Sequence, residues 1–254
     1  MTEMNRYWPA LPMQDRLYKR TFKWWQSLQI SQAFNKNSKP LTDFLPAGTA
    51  VFSRNHAASR AMKSGQDQSG LGRWTWTQYR ACKGINLHIV SAYCPVLNKG
   101  GPLSVYNQHK IYLDNHNDDR DPRLAFTAEF RKEILLWQLA GDQILIGMDA
   151  NKDERDRTLH QAMTALYLRE AVTSRHGLTG PLTYQGGSKS TDALWITPTL
   201  LGLQCGYLKF VPWFNHCCLW IDIPTAVAFG HDLPPIVSAR ARRLKCQDPR
   251  VMDR

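Results

Sequence analysis

The sequence predicts an α/β (α+β) protein in which helices cover a buried sheet, and three observations support this prediction. Residues 144–148 form a short apolar run, the length of a strand buried on both faces, between two segments with helical patterns. Residues 73–79 alternate and are rich in β-formers, and residues 85–93 return as the second strand of a hairpin. Between residues 122 and 137, apolar side chains recur every three or four positions, which indicates one apolar helix face.

The first part of the chain is expected to contain one helix and then strands. Residues 1–30 are predicted to be a loop followed by a helix, because two early prolines exclude regular structure near the start. A strand is predicted at residues 49–52, and the Gly- and Ser-rich residues 63–72 are predicted to be a loop. The hairpin strand ends at Pro95, since proline cannot donate to the ladder.

The second part is expected to alternate between helices and strands. Two helices are predicted between residues 103 and 137, separated by the polar residues 114–121. The second helix has a clear start, because Asp121 can cap it and Pro122 suits its first turn. The remaining predicted elements are a helix from about Thr158 and strands at residues 193–196 and 219–223.

The bulk composition indicates one core in an intracellular protein. With 254 residues and 43% apolar side chains, the chain can bury one sizeable core. No apolar stretch approaches the roughly 20 residues of a spanning helix, and the first residues lack the apolar core of a signal peptide. Six cysteines form no Cys-x-x-Cys pair, so we expect reduced thiols. We therefore expect a nuclear or cytoplasmic protein that is not secreted and has no membrane partner.

The charge balance favours a polyanionic partner. The chain carries 32 Lys and Arg against 21 Asp and Glu, a formal net charge of +11. Residues 6–25 interleave cations with aromatic residues, a pattern that can stack on bases, although a surface helix with core-facing tryptophans explains Trp24 and Trp25 better. Residues 226–254 read as a basic, Pro-containing tail or as the start of a truncated downstream region.

A polar pair follows the apolar run at residues 144–148. Asp149 and Asn151 are two positions apart, so in an extended segment they point to the same side and could reach one phosphate or metal ion. Asp and Asn also favour turns for backbone reasons alone. Taken by itself, this segment favours the turn interpretation.

Three other polar positions stand at the ends of predicted strands. Tyr93 closes the hairpin strand, Asp192 opens the strand at residues 193–196, and His216 precedes the strand at residues 219–223. Each alone is usually structural. Together with Asp149 they supply carboxylates and an imidazole, which phosphodiester hydrolysis uses to bind a divalent ion, move a proton of water and stabilise developing charge.

The order of these segments resembles the endonuclease/exonuclease/phosphatase (DNase-I-like) superfamily. Within it, non-LTR-retrotransposon endonuclease domains are the most similar, because segments like GLGRWTW at 70–76 and GPLSVY at 101–106 also occur there. The resemblance covers about residues 1–225. The matching segments are TEMN at 2–5, GTA at 48–50, SAYCP at 91–95, GMDAN at 147–151, STDAL at 190–194 and NHCCLW at 215–220.

The resemblance implies a four-layer α/β sandwich of two mixed β-sheets flanked by helices, with a Mg²⁺ or Mn²⁺ site at one rim. Glu3 matches the metal-binding glutamate. Asp149 matches the aspartate that positions or deprotonates water, and Asn151 helps to hold the phosphate. His216 matches the histidine on the scissile phosphate, and Asp192 the carboxylate that orients its ring. Tyr93 matches a phosphate-contacting tyrosine.

The sequence departs from the family pattern at two places. The strand that normally precedes the glutamate has no counterpart, so residues 1–225 are expected to form the domain without its first strand. Asn215 stands where the family has an aspartate that helps to hold the metal, and one charge fewer weakens a hard-cation site. Asn215 can still donate an oxygen. We also expect Arg73 and Lys36 to contact nucleic acid.

Three functions are compatible with these features. The first is a divalent-metal-dependent endonuclease of retroelement type that hydrolyses DNA and needs no small-molecule cofactor. The second is a catalytically inactive relic or nucleic-acid-binding module with the same fold. The third, a phosphatase of small substrates or lipids, fits the retroelement-type segments less well.

Overall fold

The computed structural model describes residues 27–36, 47–81, 84–97, 101, 104–152, 157–178, 180–200, 202, 204–211 and 215–230. The strands are β1 Leu28–Ala33, β2 Thr49–Arg54, β3 Ala61–Gln66, β4 Trp74–Arg80, β5 Asn86–Tyr93, β6 Gln143–Asp149, β7 Arg169–Glu170, β8 Asp192–Ile196, β9 Gln204–Tyr207 and β10 Leu219–Asp222. The helices are α1 Asn55–Arg60, α2 Val105–Asn115, α3 Pro122–Leu139, α4 Arg157–Thr164, α5 Ala171–His176 and α6 Thr225–Phe229.

A six-stranded mixed sheet forms the centre of the molecule. Its strands follow one another in the order β3, β4, β5, β6, β8 and β7. Among the described strands of this sheet, only the β5–β6 pair is parallel, and the chain between these two strands contains α2 and α3. This agrees with the general rule that parallel neighbours need a long crossover, whereas the antiparallel β4–β5 pair is joined by a short connection. The predicted mixed α/β class is confirmed.

Helices cover one face of this sheet through an apolar, largely aromatic core. The apolar face of α3 packs on alternate residues of the central strands, and Trp74 lies 5.1 Å from the ring of Phe130. Ile134 and Ile144 are fully buried in the same cluster. This is the helix face that the spacing between residues 122 and 137 predicts.

Two separate two-stranded antiparallel ladders cover the other face. The β9–β10 ladder, with α5 and α6, closes an apolar cluster around Ile196 and Leu200. The β1–β2 ladder packs on β4 and β5 partly through hydroxyl groups, since Ser31 Oγ and Thr75 Oγ1 lie 2.5 Å apart and Ser53 bonds to Tyr79. In the described residues, the second sheet expected from the resemblance consists of these two ladders.

Most predicted elements are confirmed, with two corrections. Asp121 Oδ1 accepts a hydrogen bond from the Arg123 backbone N–H at 2.8 Å and so caps α3, with Pro122 in the first turn. The loop predicted at residues 63–72 is wrong in its first part, because β3 pairs there with β4. Residues 28–30, expected in a helix, lie in β1. The sequence patterns did not reveal β1, β3, β7, β9, α1, α5 or α6.

The two ends of the chain are described only in part. Residues 1–26, with the predicted N-terminal helix and Glu3, and residues 231–254 lie outside the described residues. The predicted domain end at residue 225 coincides with the first residue of α6, whose Ala228 is buried in the core. The packed domain therefore continues to about residue 230.

Four of the six cysteines lie in the described part of the chain. Cys94, Cys205, Cys217 and Cys218 are free thiols, as the sequence predicts. No helix in the described part of the chain combines the length and the hydropathy needed to cross a bilayer.

Candidate active site

Three predicted site residues lie side by side where three neighbouring strands of the central sheet begin or end. Tyr93, the last residue of β5, is the register partner of Asp149 at the end of β6, and Asp149 in turn is paired with Asp192 at the start of β8. Neighbouring strands are about 4.8 Å apart, so the three residues follow one another across the sheet. We call this end of the sheet the rim.

A tight turn after β6 positions Asp149 and Asn151. Asp149 Oδ1 accepts a hydrogen bond from the Asn151 backbone N–H at 3.0 Å, and Asn151 has a left-handed φ of 47°. Asparagine tolerates this region better than most residues. Its Nδ2 donates to the Cys94 carbonyl at 2.9 Å and ties the turn to the end of β5. The turn interpretation is confirmed, and both polar residues still belong to the rim.

Arg123 holds the same turn from the first turn of α3. Its Nη2 donates to the Ala150 carbonyl and its Nη1 to the Asn151 carbonyl, each at 3.2 Å. A cation at a helix N-terminus is unfavourable for the helix dipole. These two hydrogen bonds give the arginine a role there in fixing the turn.

His216 and Asp192 form the second half of the rim. His216 Nδ1 donates to Asp192 Oδ2 at 2.8 Å, and the two side chains are 24% and 14% exposed. Thr183 Oγ1 accepts from the Thr191 and Asp192 backbone N–H groups at 2.8 and 3.1 Å and so orients the start of β8. Its carbonyl accepts from the Cys217 N–H at 2.9 Å, which places the His216 segment beside β8.

The two halves converge on one point. One ligand atom each from Asp149, Asp192 and His216 lies within 4.8 Å of the others. Two carboxylates and an imidazole suit Mn²⁺ well, and the carboxylate oxygens also suit Mg²⁺. The donor set therefore fits a divalent ion, although it consists of residues that the resemblance assigns to catalysis.

The other predicted site residues are less central. Asn215 is exposed, and its backbone carbonyl accepts a hydrogen bond from the Gln185 backbone N–H at 2.7 Å. Tyr93 is next to Asp149 but packs in a buried cluster with Ala47 and Val105. Lys36 is exposed. The roles of these residues, and that of Glu3, stay predictions.

Arg73 is buried instead of facing nucleic acid. It is 2% exposed, and its guanidinium donates to Asp67 at 2.6 and 2.8 Å and also to Glu129. The direction of its pKa is upward: burial alone would lower it, but these carboxylates outweigh that effect. The prediction that Arg73 contacts nucleic acid is wrong, because its donors already serve buried carboxylates.

Two cysteines near the rim are unsuited to nucleophilic catalysis. Burial raises the pKa of Cys94 to about 12 and that of Cys217 to about 11. Both thiols are therefore protonated at neutral pH, and only a thiolate attacks efficiently. In the described part of the rim, the groups suited to acid–base chemistry are the carboxylates and the imidazole.

Sequence reasoning missed two supporting residues. The one available signal for Arg123 was its position in a helix first turn, where a cation is disfavoured. Thr183 is fully buried, and nothing in its sequence neighbourhood marks it. Its importance follows only from the hydrogen bonds that it accepts.

The fold is that of the endonuclease/exonuclease/phosphatase (DNase-I-like) proteins. The 3′ phosphatase NExo from Neisseria, in a complex with product DNA hairpin, superimposes with a TM-score of 0.58 at 10% identity, covering 87% of this chain and 86% of its own. The Xenopus laevis APE2 catalytic domain gives 0.55 at 13% identity over 76% and 74%. An endonuclease/exonuclease/phosphatase family protein from Leptotrichia buccalis gives 0.54 at 10% identity over 88% and 85%. No protein-family model and no curated protein sequence matches the chain.

Proposed function

We propose that this protein is a divalent-metal-dependent endonuclease of retroelement type that hydrolyses phosphodiester bonds in DNA. The observation that carries the proposal is the convergence of Asp149, Asp192 and His216 at one rim of a DNase-I-like fold. The net charge of +11 favours a polyanionic substrate. The neighbour NExo, which is bound to product DNA hairpin, favours nucleic acid among the polyanions. The retroelement type rests on the sequence resemblance.

The rim residues divide the work of hydrolysis. Asp149 orients the attacking water and accepts its proton. Asp192 holds the Nδ1–H of His216, so that the imidazole presents Nε2 to the scissile phosphate and its positive charge is supported by a carboxylate. Asn151 holds a phosphate oxygen from a turn that Arg123 fixes.

A divalent ion fits beside these groups. The Asp149 and Asp192 carboxylates would hold it, with Glu3 and Asn215 as further candidates from the resemblance, while His216 faces the phosphate. When bound, Mg²⁺ or Mn²⁺ neutralises the non-bridging phosphate oxygens.

Plasmid nicking in the presence of Mg²⁺ or Mn²⁺ tests the proposal. We expect nicking that EDTA abolishes and that Asp149→Ala and His216→Ala each reduce by about 10²-fold or more. His116→Ala is the matched control, because His116 is exposed on the surface at the end of α2.

Two results would contradict the proposal. If the wild type does not nick DNA, or if both rim variants nick as well as it does, the protein is not this nuclease. Metal-independent, salt-sensitive DNA binding without nicking would instead support the nucleic-acid-binding module.

A further inference from the structure

A group of cations surrounds α1 at the end of the sheet away from the rim. Strands β1 to β5 and α1 contain no Asp or Glu. The same part of the chain carries Arg54 before α1, Arg60 at its end, Lys63 on the edge strand β3 and Arg80 at the end of β4. We call these four residues the basic edge.

The backbone brings these residues close together. Arg60 Nη1 donates to the Arg80 carbonyl at 3.2 Å, and Lys63 pairs in register with Gln78, two residues before Arg80. The six residues of α1 span about 9 Å, so Arg54 lies within one short helix of Arg60. Arg54, Lys63 and Arg80 are exposed, and Arg60 is half-buried.

Part of the basic edge is held in place. The Arg60 guanidinium lies 5.2 Å from the centroid of the Phe229 ring, and this ring packs near Tyr79 in the core. A stacked, hydrogen-bonded guanidinium loses less entropy when it binds a ligand than a free side chain does. The group is therefore partly ordered before any ligand arrives.

Among the residues that the structure describes, no carboxylate forms an ion pair with Arg60, Lys63 or Arg80. Asp142 approaches this end of the sheet, but it is buried and accepts hydrogen bonds from His88, Asn86 and Gln78. Protection of an edge strand against pairing explains a lysine such as Lys63. It does not explain Arg54 and Arg60, which flank a helix.

The basic edge is far from the rim. Along β5, Asn86 pairs with Arg80 and Tyr93 pairs with Asp149, and the seven steps between them measure about 23 Å. This distance corresponds to about seven base pairs of B-DNA. A phosphate bound at the basic edge is thus not the scissile phosphate.

We propose that the basic edge binds the phosphate backbone of duplex nucleic acid as a second contact on a long substrate. The choice of nucleic acid among polyanions rests on the proposed function. Three of the four cations are arginines, whose planar fork matches phosphate oxygens. The contact adds affinity on long duplexes and carries no sequence information.

Salt-dependent binding to a duplex of about 30 base pairs tests this proposal in EDTA, where hydrolysis is absent. In the variant with Arg54, Arg60, Lys63 and Arg80 all changed to Gln, we expect the slope of log Kd against log salt to fall by about 3 to 4. The double variant Lys63→Gln with Arg80→Gln leaves the Phe229 contact intact and should lower the slope by about 2. This second variant keeps the test valid if the first does not fold.

A matched control removes the same charge elsewhere. Changing the exposed residues Arg131, Lys132, Arg169 and Arg175 to Gln also removes four charges and should change the slope by less than about 1. The proposal is overturned if this control weakens binding equally, or if the double variant binds like the wild type. It is also overturned if these variants lose binding to phosphatidylserine vesicles while DNA binding is unchanged.

The outcome is independent of catalysis. Binding that weakens as expected in a protein without nicking activity supports the basic edge and contradicts the proposed nuclease. Nicking that requires His216, with unchanged binding by the double variant, contradicts the basic edge alone.

Discussion

Two His–Asp pairs stand at opposite ends of the central sheet and differ mainly in their access to solvent. His216 and Asp192 are 2.8 Å apart at the rim, with side chains 24% and 14% exposed. His88 and Asp142 are 2.9 Å apart at the other end, with side chains 3% and 4% exposed. The hydrogen bond is nearly the same, so geometry alone does not distinguish a structural pair from a functional one.

Core side chains and amide groups enclose the buried pair His88–Asp142. His88 stacks on Trp137 with ring centroids 4.6 Å apart, and Asp142 also accepts from Asn86 and Gln78. Burial lowers the pKa of His88, and the hydrogen bond that His88 donates to Asp142 only partly opposes this. Burial would raise the pKa of Asp142, but its hydrogen bonds hold it below the usual value. A neutral histidine and a carboxylate thus close this end of the core.

The rim pair His216–Asp192 is open to solvent and has a second carboxylate nearby. Its imidazole is partly exposed and lies within 4.8 Å of a ligand atom of Asp149. A divalent metal ion requires carboxylate ligands together with access to solvent. The two pairs therefore differ in solvent access and in the nearby Asp149 carboxylate, which the buried pair lacks.

The largest expected effect separates the pairs by activity. Asp192→Asn removes the carboxylate that orients His216, and we expect nicking activity to fall by about 10²–10⁴-fold. Because the pair is partly exposed, the free energy of unfolding should change by less than about 1 kcal/mol. Nicking rates and urea denaturation measure both quantities. Nicking at the wild-type rate would show that Asp192 has no part in catalysis.

The next effect separates the pairs by stability. In Asp142→Asn, the new NH₂ group faces donors whose hydrogen bonds the carboxylate accepts in the wild type. We therefore expect a loss of about 2–4 kcal/mol in the free energy of unfolding. Nicking per folded molecule should be unchanged. Asp114→Asn is the control, because Asp114 forms an exposed pair with Lys110 and should cost under about 0.5 kcal/mol. Equal losses in the two variants would show that the buried Asp142 pair stabilises the fold no more than an exposed pair does.

Local sequence patterns predicted the elements that carry their own signal. The apolar run before Asp149 and the cap at Asp121 both lie within a few residues of the structure that they specify. β3 has no such signal, because it is a largely exposed edge strand defined by its pairing with β4. Its Gly65 lies against the Trp76 indole, where a Cβ would come within 2.4 Å of Cζ2. This contact depends on tertiary structure.

The same distinction applies to the site. Asp149 and Asn151 are close in sequence, and their shared turn follows from local chemistry. The contact between Asp192 and His216 joins residues 24 positions apart, and only the family resemblance suggested it. Arg73 was misassigned because its burial follows from tertiary packing: its partners Asp67 and Glu129 lie six and 56 positions away, and neither is marked in the sequence as a buried partner.

The smallest expected effect is a loss of stability in mild acid. His109 is buried, and burial together with the charge of Arg73 lowers its pKa to about 3, while that of His88 is lowered in the same direction. Below the unfolded value of about 6.5 the unfolded chain binds more protons than the folded one, so stability falls as the pH decreases. For His109 alone we expect a loss of about 2 kcal/mol between pH 6.5 and 5, measured by urea denaturation. The loss should shrink in His109→Gln, and an unchanged loss in that variant would show that His109 is not its source.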